Sequence, residues 1–326
     1  MKVFVSRIVP EIAISELKKA GHDVAIWTEK RDINRAELVS LCKNQDALLS
    51  VGQNQLDREF LQACSHLKVI GQMAVGYDNI DVAAATALGI PVGNTPGVLS
   101  RATADSAFLL MLAVSRKAFY MHQKIINGEW GFYEPTADLG IELYNRTLGI
   151  FGLGKIGLEM ARLCKGAYQM KVLYCNRNPN PLAEDELGAG RVSFEELLAK
   201  SDVLSVHTAL TPETKGIFNR KAFIQMKKNA IFINTARGAI HQEEDLIEAI
   251  REKTIWGCGL DVTNPEPMSP DNPLLYLPNA AILPHIGSAT EETRNAMARL
   301  AAENIIAGLK GERLPYPVNP EIYRKS

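Results

Sequence analysis

The chain has 326 residues, of which 46% are hydrophobic and 22% charged, with a formal net charge of −1. That composition gives a globular protein with room for two ordinary domains, and a near-neutral charge without a long basic run argues against a nucleic-acid footprint. No apolar run approaches the roughly 18 residues of a bilayer span, the start MKVFVSRIVPE lacks the apolar core and cleavage site of a signal peptide, and five scattered cysteines without a C-x-x-C pair fit a reducing cytoplasm and no metal site.

Residues 2–7 read as a first strand and 11–20 as a helix that Gly21 stops. Strands follow at 24–27, 47–51, 68–72 and 90–93, with helices at 35–43, 60–65 and 81–88 between them. This alternation predicts βαβ units and a parallel sheet. The cluster Asn94-Thr95-Pro96-Gly97 is a breaker and a crossing between domains. Residues 100–126 then read as one long apolar helix, placed at the domain junction and at a subunit interface. Residues 128–143 are aromatic, glycine-rich and irregular.

The alternation resumes with six strands, at 147–151, 172–175, 203–207, 230–234, 256–261 and 281–284. Helices fall at 155–167, 194–199, 221–226 and 243–252. These strands complete a unit. The helix at 291–309 therefore returns to the first domain and makes a second crossing. Two crossings make a hinge, and the cleft they flank is the natural place for a substrate.

The strand TLGIF at 147–151 runs directly into Gly152, Gly154 and Gly157, with G-x-G-x-x-G spacing, and then into a helix with an apolar face. Strand, glycine turn and helix together are the dinucleotide fingerprint. Gly152 allows the tight turn, Gly154 lets backbone approach a pyrophosphate, and Gly157 lets helix pack on strand. The helix N-terminus offers free N–H groups and the positive dipole end.

An NAD site usually carries an acid at the end of the next strand, for the ribose 2′-OH. Here that position is Asn176, followed by Arg177. A carboxylate would repel a 2′-phosphate, whereas a guanidinium binds one through paired hydrogen bonds. The pattern predicts a preference for NADP(H), with NAD(H) still usable. In the alternative, Arg177 only stacks on adenine in an NAD enzyme.

Three later stretches place ionisable groups at strand ends, where open α/β sheets bind ligands. They are Asn234-Thr235-Ala236-Arg237-Gly238, Asp261-Val262-Thr263-Asn264-Pro265-Glu266-Pro267, and Pro284-His285-Ile286-Gly287-Ser288. Arginine forks onto a carboxylate, and histidine exchanges protons near neutrality. A neighbouring glutamate orients the imidazole and favours its charged form. Taken singly, Arg237 reads as a surface ion-pair partner, His285 as a structural histidine and Glu266 as a loop residue. Jointly, downstream of a fingerprint, they read as an active site. His22, His66, His122, His207 and His241 have no such setting and read as structural or exposed.

Over nearly its whole length the sequence resembles the D-isomer-specific 2-hydroxyacid dehydrogenases. GLGKIG, NTARG, GLDVTNPEP, NPLLYLPN and LPHIGSATEETR carry the resemblance. VGYDNID, NTPGVLSRATAD and the non-acidic NR at 176–177 bring it nearest to the glyoxylate/hydroxypyruvate reductases. The resemblance implies two doubly wound parallel-sheet α/β domains. A Rossmann cofactor domain, 99–288, is inserted in a flavodoxin-like substrate domain, 1–98 and 289–326.

It also implies roles. Arg237 clamps the substrate carboxylate and polarises the 2-keto group. His285 donates a proton to the carbonyl oxygen, and Glu266 keeps His285 protonated. Val75 and Gly76 bind the carboxylate through backbone N–H groups, and Ser288 touches substrate or nicotinamide. Leu153, Gly154, Lys155 and Ile156 line the pyrophosphate, and Asn176 and Arg177 the 2′-phosphate. Thr103, Thr208, Thr214, Thr235, Ala236, Asp261 and Gly287 line the ribose and nicotinamide. A homodimer through the helix near 100–126 is expected. Trp130 and Phe132 lie where an aromatic of related reductases reaches the neighbouring subunit's site, although GFYEPTADLGIELYNR departs from the usual pattern.

The expected reaction is NADPH-dependent reduction of glyoxylate or hydroxypyruvate. Reduction of 2-ketogluconate or another 2-keto acid stands behind it, since pocket loops decide the substrate. A phosphoglycerate dehydrogenase is disfavoured because no regulatory extension follows Ser326. A nucleotide-sensing corepressor-like module of the same fold is the alternative from another class. Such modules carry disordered tails, of which this sequence shows none, and turnover of any 2-keto acid separates the two.

Overall fold

The computed structural model describes residues 1–52 and 54–324. Gln53 lies outside the described residues, as do Lys325 and Ser326 at the end of the expected 289–326 segment. The chain forms two compact units, Met1–Leu99 with Ala289–Ser326, and Ser100–Ser288.

The first unit opens with β1 (Lys2–Val5), α1 (Glu11–Lys19), β2 (Asp23–Ile26), α2 (Arg35–Cys42), β3 (Ala47–Ser50), α3 (Arg58–Ala63), β4 (Val69–Gln72), α4 (Val82–Ala87) and β5 (Val92–Gly93). The strands form one parallel sheet in the order β2-β1-β3-β4-β5, the flavodoxin-like order. Helix starts are fixed locally: Asn34, Asp57 and Asp81 each accept a backbone N–H from the first turn of α2, α3 and α4.

The second unit runs through α5 (Ser100–Ser115), α6 (Ala118–Ile126), β6 (Thr147–Phe151), α7 (Lys155–Tyr168), β7 (Lys171–Cys175), α8 (Pro181–Leu187) and β8 (Gly190–Arg191). It continues through α9 (Phe194–Lys200), β9 (Val203–Val206), α10 (Arg220–Gln225), β10 (Ile231–Asn234), α11 (Glu243–Arg251), β11 (Gly257–Leu260) and β12 (Ala280–Ile282). Its seven strands are all parallel, in the order β12-β11-β10-β9-β6-β7-β8. This is the Rossmann order, reversing between β6 and β9. Every residue of β9, β10 and β11 is buried, as expected of strands covered on both faces. Phe151 pairs with Val206 and Cys175, and Asn234 with Val206 and Leu260. The loops after these strands therefore leave the sheet along one edge.

The last helix, α12 (Glu291–Leu309), belongs to the first unit and packs on β3, β4 and α1. The approach to β4 is close: a Cβ on Gly308 would stand 2.5 Å from Val69, and one on Gly71 would stand 3.1 Å from the Ala301 carbonyl.

Two sequence expectations need correction. The unit has seven strands rather than six, because β8 is only two residues long and carries no readable period, and α8 precedes it. The helix expected over 100–126 is two helices. Lys117 takes a left-handed φ of 53°, and the carbonyls that would continue α5 are taken elsewhere. Val114 O accepts from the Trp256 indole at 3.3 Å, and Ser115 O from the Ile141 N–H at 2.9 Å. No described helix is long and apolar enough to cross a membrane.

Candidate active site

The glycine turn is built from close approaches. Gly152 has a φ of 97°, and a Cβ there would meet the Thr208 nitrogen at 2.7 Å. A Cβ on Gly157 would lie 2.9 Å from the Gly152 carbonyl, whereas one on Gly154 would meet nothing within 4 Å. The space over Gly154 is thus open, and α7 begins there without a side-chain cap. Its first N–H groups, from Lys155 and Ile156, have no helical partner and sit at the positive end of the dipole.

Asn176 ties this turn to the end of β7. Its Oδ1 accepts the Leu153 N–H at 2.6 Å, and its Nδ2 donates to Leu153 O at 3.2 Å. Asn180 adds a second bond to Leu153 O at 2.9 Å. The amide of Asn176 is therefore spent on backbone, and Arg177 is the exposed polar side chain beside it. Thr208 follows β9 next to Gly152. Thr214 closes its own loop, with Oγ1 accepting the Thr211 N–H and donating to Ala209 O, both at 2.8 Å.

Asn234, fully buried at the end of β10, shapes the turn that carries Arg237. Its Oδ1 accepts the Ala236 N–H at 2.9 Å, and its Nδ2 donates to Arg237 O at 2.8 Å and to His241 Nδ1 at 3.0 Å. Only an unprotonated Nδ1 can accept, and burial pushes the His241 pKa down to about 4, so the ring is neutral in the working range. Burial pushes His207, whose Nε2 is 2.8 Å from Ser205 Oγ, to about 4 as well. Thr235 Oγ1 is buried without a hydrogen-bond partner among the described residues. A Cβ on Gly238 would lie 2.0 Å from Thr263 O, so the Arg237 turn packs directly on the loop that leads to Glu266. Arg237 is half-buried, and its guanidinium donates to Ala236 O at 2.8 Å.

Asp261 ends β11 and organises the third loop. Its Oδ1 accepts the Ile286 N–H and its Oδ2 the Gly287 N–H, both at 2.7 Å. Burial raises its pKa against these two donors, which favour the charged form. Gly287 is pressed between Asp261 and Thr103. Immediately before this clamp, His285 stands at φ 55°, a left-handed conformation that a non-glycine residue holds only when its surroundings impose it. Its Nδ1–H donates to Glu266 Oε1 at 2.5 Å. A carboxylate only accepts, so the proton is on Nδ1. His285 and Ser288 lie on the same loop, and the side chain of His285 is 43% exposed against 24% for Glu266.

The second unit thus brings together the glycine turn, Asn176, Arg177, Thr208, Arg237, Asp261, Glu266, His285 and Gly287. Val75 and Gly76 belong to the first unit, where Asn94 Nδ2 donates to Val75 O at 2.9 Å. Sequence reasoning missed Asn180, which caps α8 while bonding the glycine turn, and Arg191 on β8. A helix closed by Gly188 just before it was the only signal for that strand.

The family model of the D-isomer specific 2-hydroxyacid dehydrogenase, NAD binding domain, matches residues 108–287. A glyoxylate reductase of Thermococcus litoralis is 44% identical over 100% of this chain and 98% of its own. A crystal structure of a glyoxylate reductase from Paecilomyes thermophila superposes with a TM-score of 0.87 at 34% identity, covering 98% of this chain and 99% of that one. An NADPH-dependent glyoxylate/hydroxypyruvate reductase of Sinorhizobium meliloti, in complex with NADP and malonate, superposes with a TM-score of 0.86 at 29% identity, covering 100% and 98%. Sheet order, glycine turn and these likenesses define an NAD(P)-dependent oxidoreductase acting on 2-keto acids. The chain belongs to the D-isomer-specific 2-hydroxyacid dehydrogenase family, and within it resembles glyoxylate reductases over its whole length.

Proposed function

We propose that this enzyme reduces glyoxylate, and hydroxypyruvate as a second substrate, to the 2-hydroxy acid, with NADPH preferred over NADH. The observation that carries the reading is the His285–Glu266 hydrogen bond, held beside the Arg237 turn at the carboxyl edge of the Rossmann sheet. The open space over Gly154, the uncapped start of α7 and the partnerless Thr235 hydroxyl suit a dinucleotide. When bound, the reduced nicotinamide supplies the hydride.

The residues of the chain do the rest. Arg237 forks onto the substrate carboxylate and draws electron density from the adjacent carbonyl. His285, with Nδ1–H on Glu266, turns Nε2 outward, and in its charged form gives the Nε2 proton to the carbonyl oxygen as the carbon is reduced. Glu266 fixes the orientation of the ring through the Nδ1 hydrogen bond. Asp261 keeps the His285 loop in place through Ile286 and Gly287. Lys155 and Ile156 would offer N–H groups to the pyrophosphate, and Arg177 would meet the 2′-phosphate. Thr103, Thr208, Thr214, Thr235, Ala236, Asp261 and Gly287 would line the cofactor's ribose and nicotinamide. The same reading gives Val75, Gly76 and Ser288 a part in holding the substrate, and makes 99–288 the cofactor domain and 1–98 with 289–326 the substrate domain.

A cytoplasmic location suits five unpaired cysteines. We also infer a homodimer. The inner face of α5 is buried within its own unit, whereas no residue of α6 is buried. Phe119, Ile125 and Ile126 on α6, and Trp130, Phe132 and Tyr133 just after it, are exposed. Apolar groups gathered in this way mark an interface, which a second copy covers.

The test is initial rates with NADPH and NADH against glyoxylate, hydroxypyruvate, pyruvate and 2-ketogluconate. Fast NADPH oxidation with glyoxylate supports the whole reading. Activity mainly with NADH keeps the catalytic trio and sinks the 2′-phosphate argument. No turnover alongside tight cofactor binding rejects the proposed substrates.

A further inference from the structure

The edge strand β8 contains an arginine that the proposed reaction leaves unused. Arg191 pairs in register with Tyr174 of β7. Its guanidinium reaches the turn that follows β7. Nε and Nη2 donate to Asn176 O at 3.3 and 3.1 Å, and Nη2 also donates to Arg177 O at 2.6 Å. The turn is therefore held from two sides, by the Leu153 backbone through the Asn176 amide and by Arg191 through the two carbonyls.

Two consequences follow from this geometry. The amide of Asn176 is committed to the Leu153 backbone, so the cationic groups this corner offers a ligand are the guanidinium groups of Arg177 and Arg191. That of Arg177 makes no hydrogen bond or ion pair among the described residues, and Arg191 Nη1 makes none either. Both side chains are exposed. Two carboxylates share the neighbourhood. Glu213, on the 209–214 loop, lies within electrostatic reach of Arg177. Glu195 acts on Cys175, as does Arg191. A monoanion or neutral hydroxyl gains little here, whereas a phosphate monoester, with close to two negative charges at neutral pH, can bridge two guanidinium groups.

We infer that Arg191 and Arg177 together form a two-guanidinium subsite for the phosphate monoester on the adenosine ribose of the cofactor, with Arg191 also positioning the 176–178 turn. The inference rests on the NADPH reading above. Arg177 supplies the freely placed fork. Arg191 supplies a fixed second charge and holds the backbone from which Arg177 extends. Glu213 is the counter-charge that the phosphate displaces.

The test is equilibrium binding by calorimetry, with the whole enzyme, of NADPH, NADH, 2′,5′-ADP and 5′-AMP. Wild type should favour 2′,5′-ADP over 5′-AMP; if it does not, the NADPH reading itself fails, before any variant is made. Arg191→Met should then weaken NADPH and 2′,5′-ADP by about 10- to 100-fold, the loss of one charged hydrogen-bonding partner, and shift NADH and 5′-AMP by less than about twofold. Arg191→Lys keeps the charge and loses the carbonyl fork, so it should fall between. If Arg191→Met does not fold, the same comparison on Arg191→Lys decides. Glu213→Gln should tighten 2′,5′-ADP and leave 5′-AMP unchanged. Equal weakening of all four ligands by Arg191→Met would show a turn brace without a subsite, and no weakening would show neither; both overturn the inference.

Discussion

His285 donates its Nδ1–H to Glu266 Oε1 across 2.5 Å while its own backbone is held at φ 55°. A residue kept in that conformation, with one ring nitrogen committed, can offer only the other to a substrate. His285→Ala should therefore lower kcat for glyoxylate reduction by about 10²- to 10⁴-fold, the usual value of a positioned proton donor. Cofactor affinity, read by nicotinamide fluorescence, should stay within about twofold. Near-normal turnover in the variant would remove His285 from the proton-transfer step.

Arg237 is half-buried, on a turn fixed by Asn234. Its planar fork matches a carboxylate in a way that an ammonium cannot. Arg237→Lys should cost about 10²-fold in kcat/KM, close to 3 kcal/mol, with most of the loss in KM. Steady-state kinetics over a keto-acid series checks this. A variant that lost affinity for cofactor and substrate equally would show that Arg237 shapes the fold of the loop instead.

Asp261 accepts two backbone N–H groups at 2.7 Å, one on each oxygen. An asparagine keeps one acceptor and turns an N–H₂ group toward the other donor. Asp261→Asn should lose about 2–3 kcal/mol of stability, the range for a hydrogen bond to a charged group replaced by an unpaired buried one. It should also lower kcat, because the left-handed His285 loses its anchor. Urea unfolding monitored by tryptophan fluorescence gives the first value. Unchanged stability would show that Asp261 does not brace the loop.

Acid stability should depend on His241. The ring is buried, with its pKa depressed to about 4, while the unfolded chain titrates near 6.5. Between those values the unfolded state binds the extra proton, so stability is full above pH 6.5 and is lost as the pH falls toward 4. The gap corresponds to about 3 kcal/mol at most. Asp261, whose pKa is raised by burial, acts in the opposite sense just above the ordinary aspartate range, so part of the loss is offset at the acid end. Melting temperatures from pH 8 to 4 should decline below 6.5 in wild type and decline less in His241→Gln. A parallel decline in both would assign the effect to other groups, His207 first.

The exposed apolar face of α6 predicts the assembly. Ile125→Asp with Ile126→Asp should convert a dimer to a monomer in light scattering, since each replaces an exposed apolar side chain of α6 with a charge. A dimer that survived both changes would lie elsewhere on the molecule.

Much of this was readable from the chain. The glycine turn declared itself because three glycines at fixed spacing follow a strand of β-branched and aromatic residues; Gly152 and Gly157 answer close approaches, and Gly154 leaves open space. The Arg237, Glu266 and His285 stretches were legible because each ends a recognisable strand. Periodicity failed where tertiary contacts decide. No residue type in 100–126 marks the end of α5 at Ser115; the left-handed Lys117, whose N–H turns back to Val114 O, ends it, and Trp256 and Ile141 also donate to the carbonyls of its last turn. Two-residue β8 has no period to detect, so Arg191 looked like any surface arginine. Asn176 was read from its charge alone, and the neighbour that occupies its amide, Leu153, is 23 residues away.

The position of α12 sets a timetable for making the protein. The Ser100–Ser288 unit is contiguous and can fold as it emerges from the ribosome, as domains generally do. The other unit cannot be completed then, because the helix that covers β3 and β4 is encoded after Ser288. Val69 and Gly71 remain uncovered in the nascent chain until that helix is released. Any truncation or stalled translation before Glu291 would leave an apolar sheet face of the first unit bare while the Ser100–Ser288 unit is complete, the kind of product that chaperones and proteases select for removal.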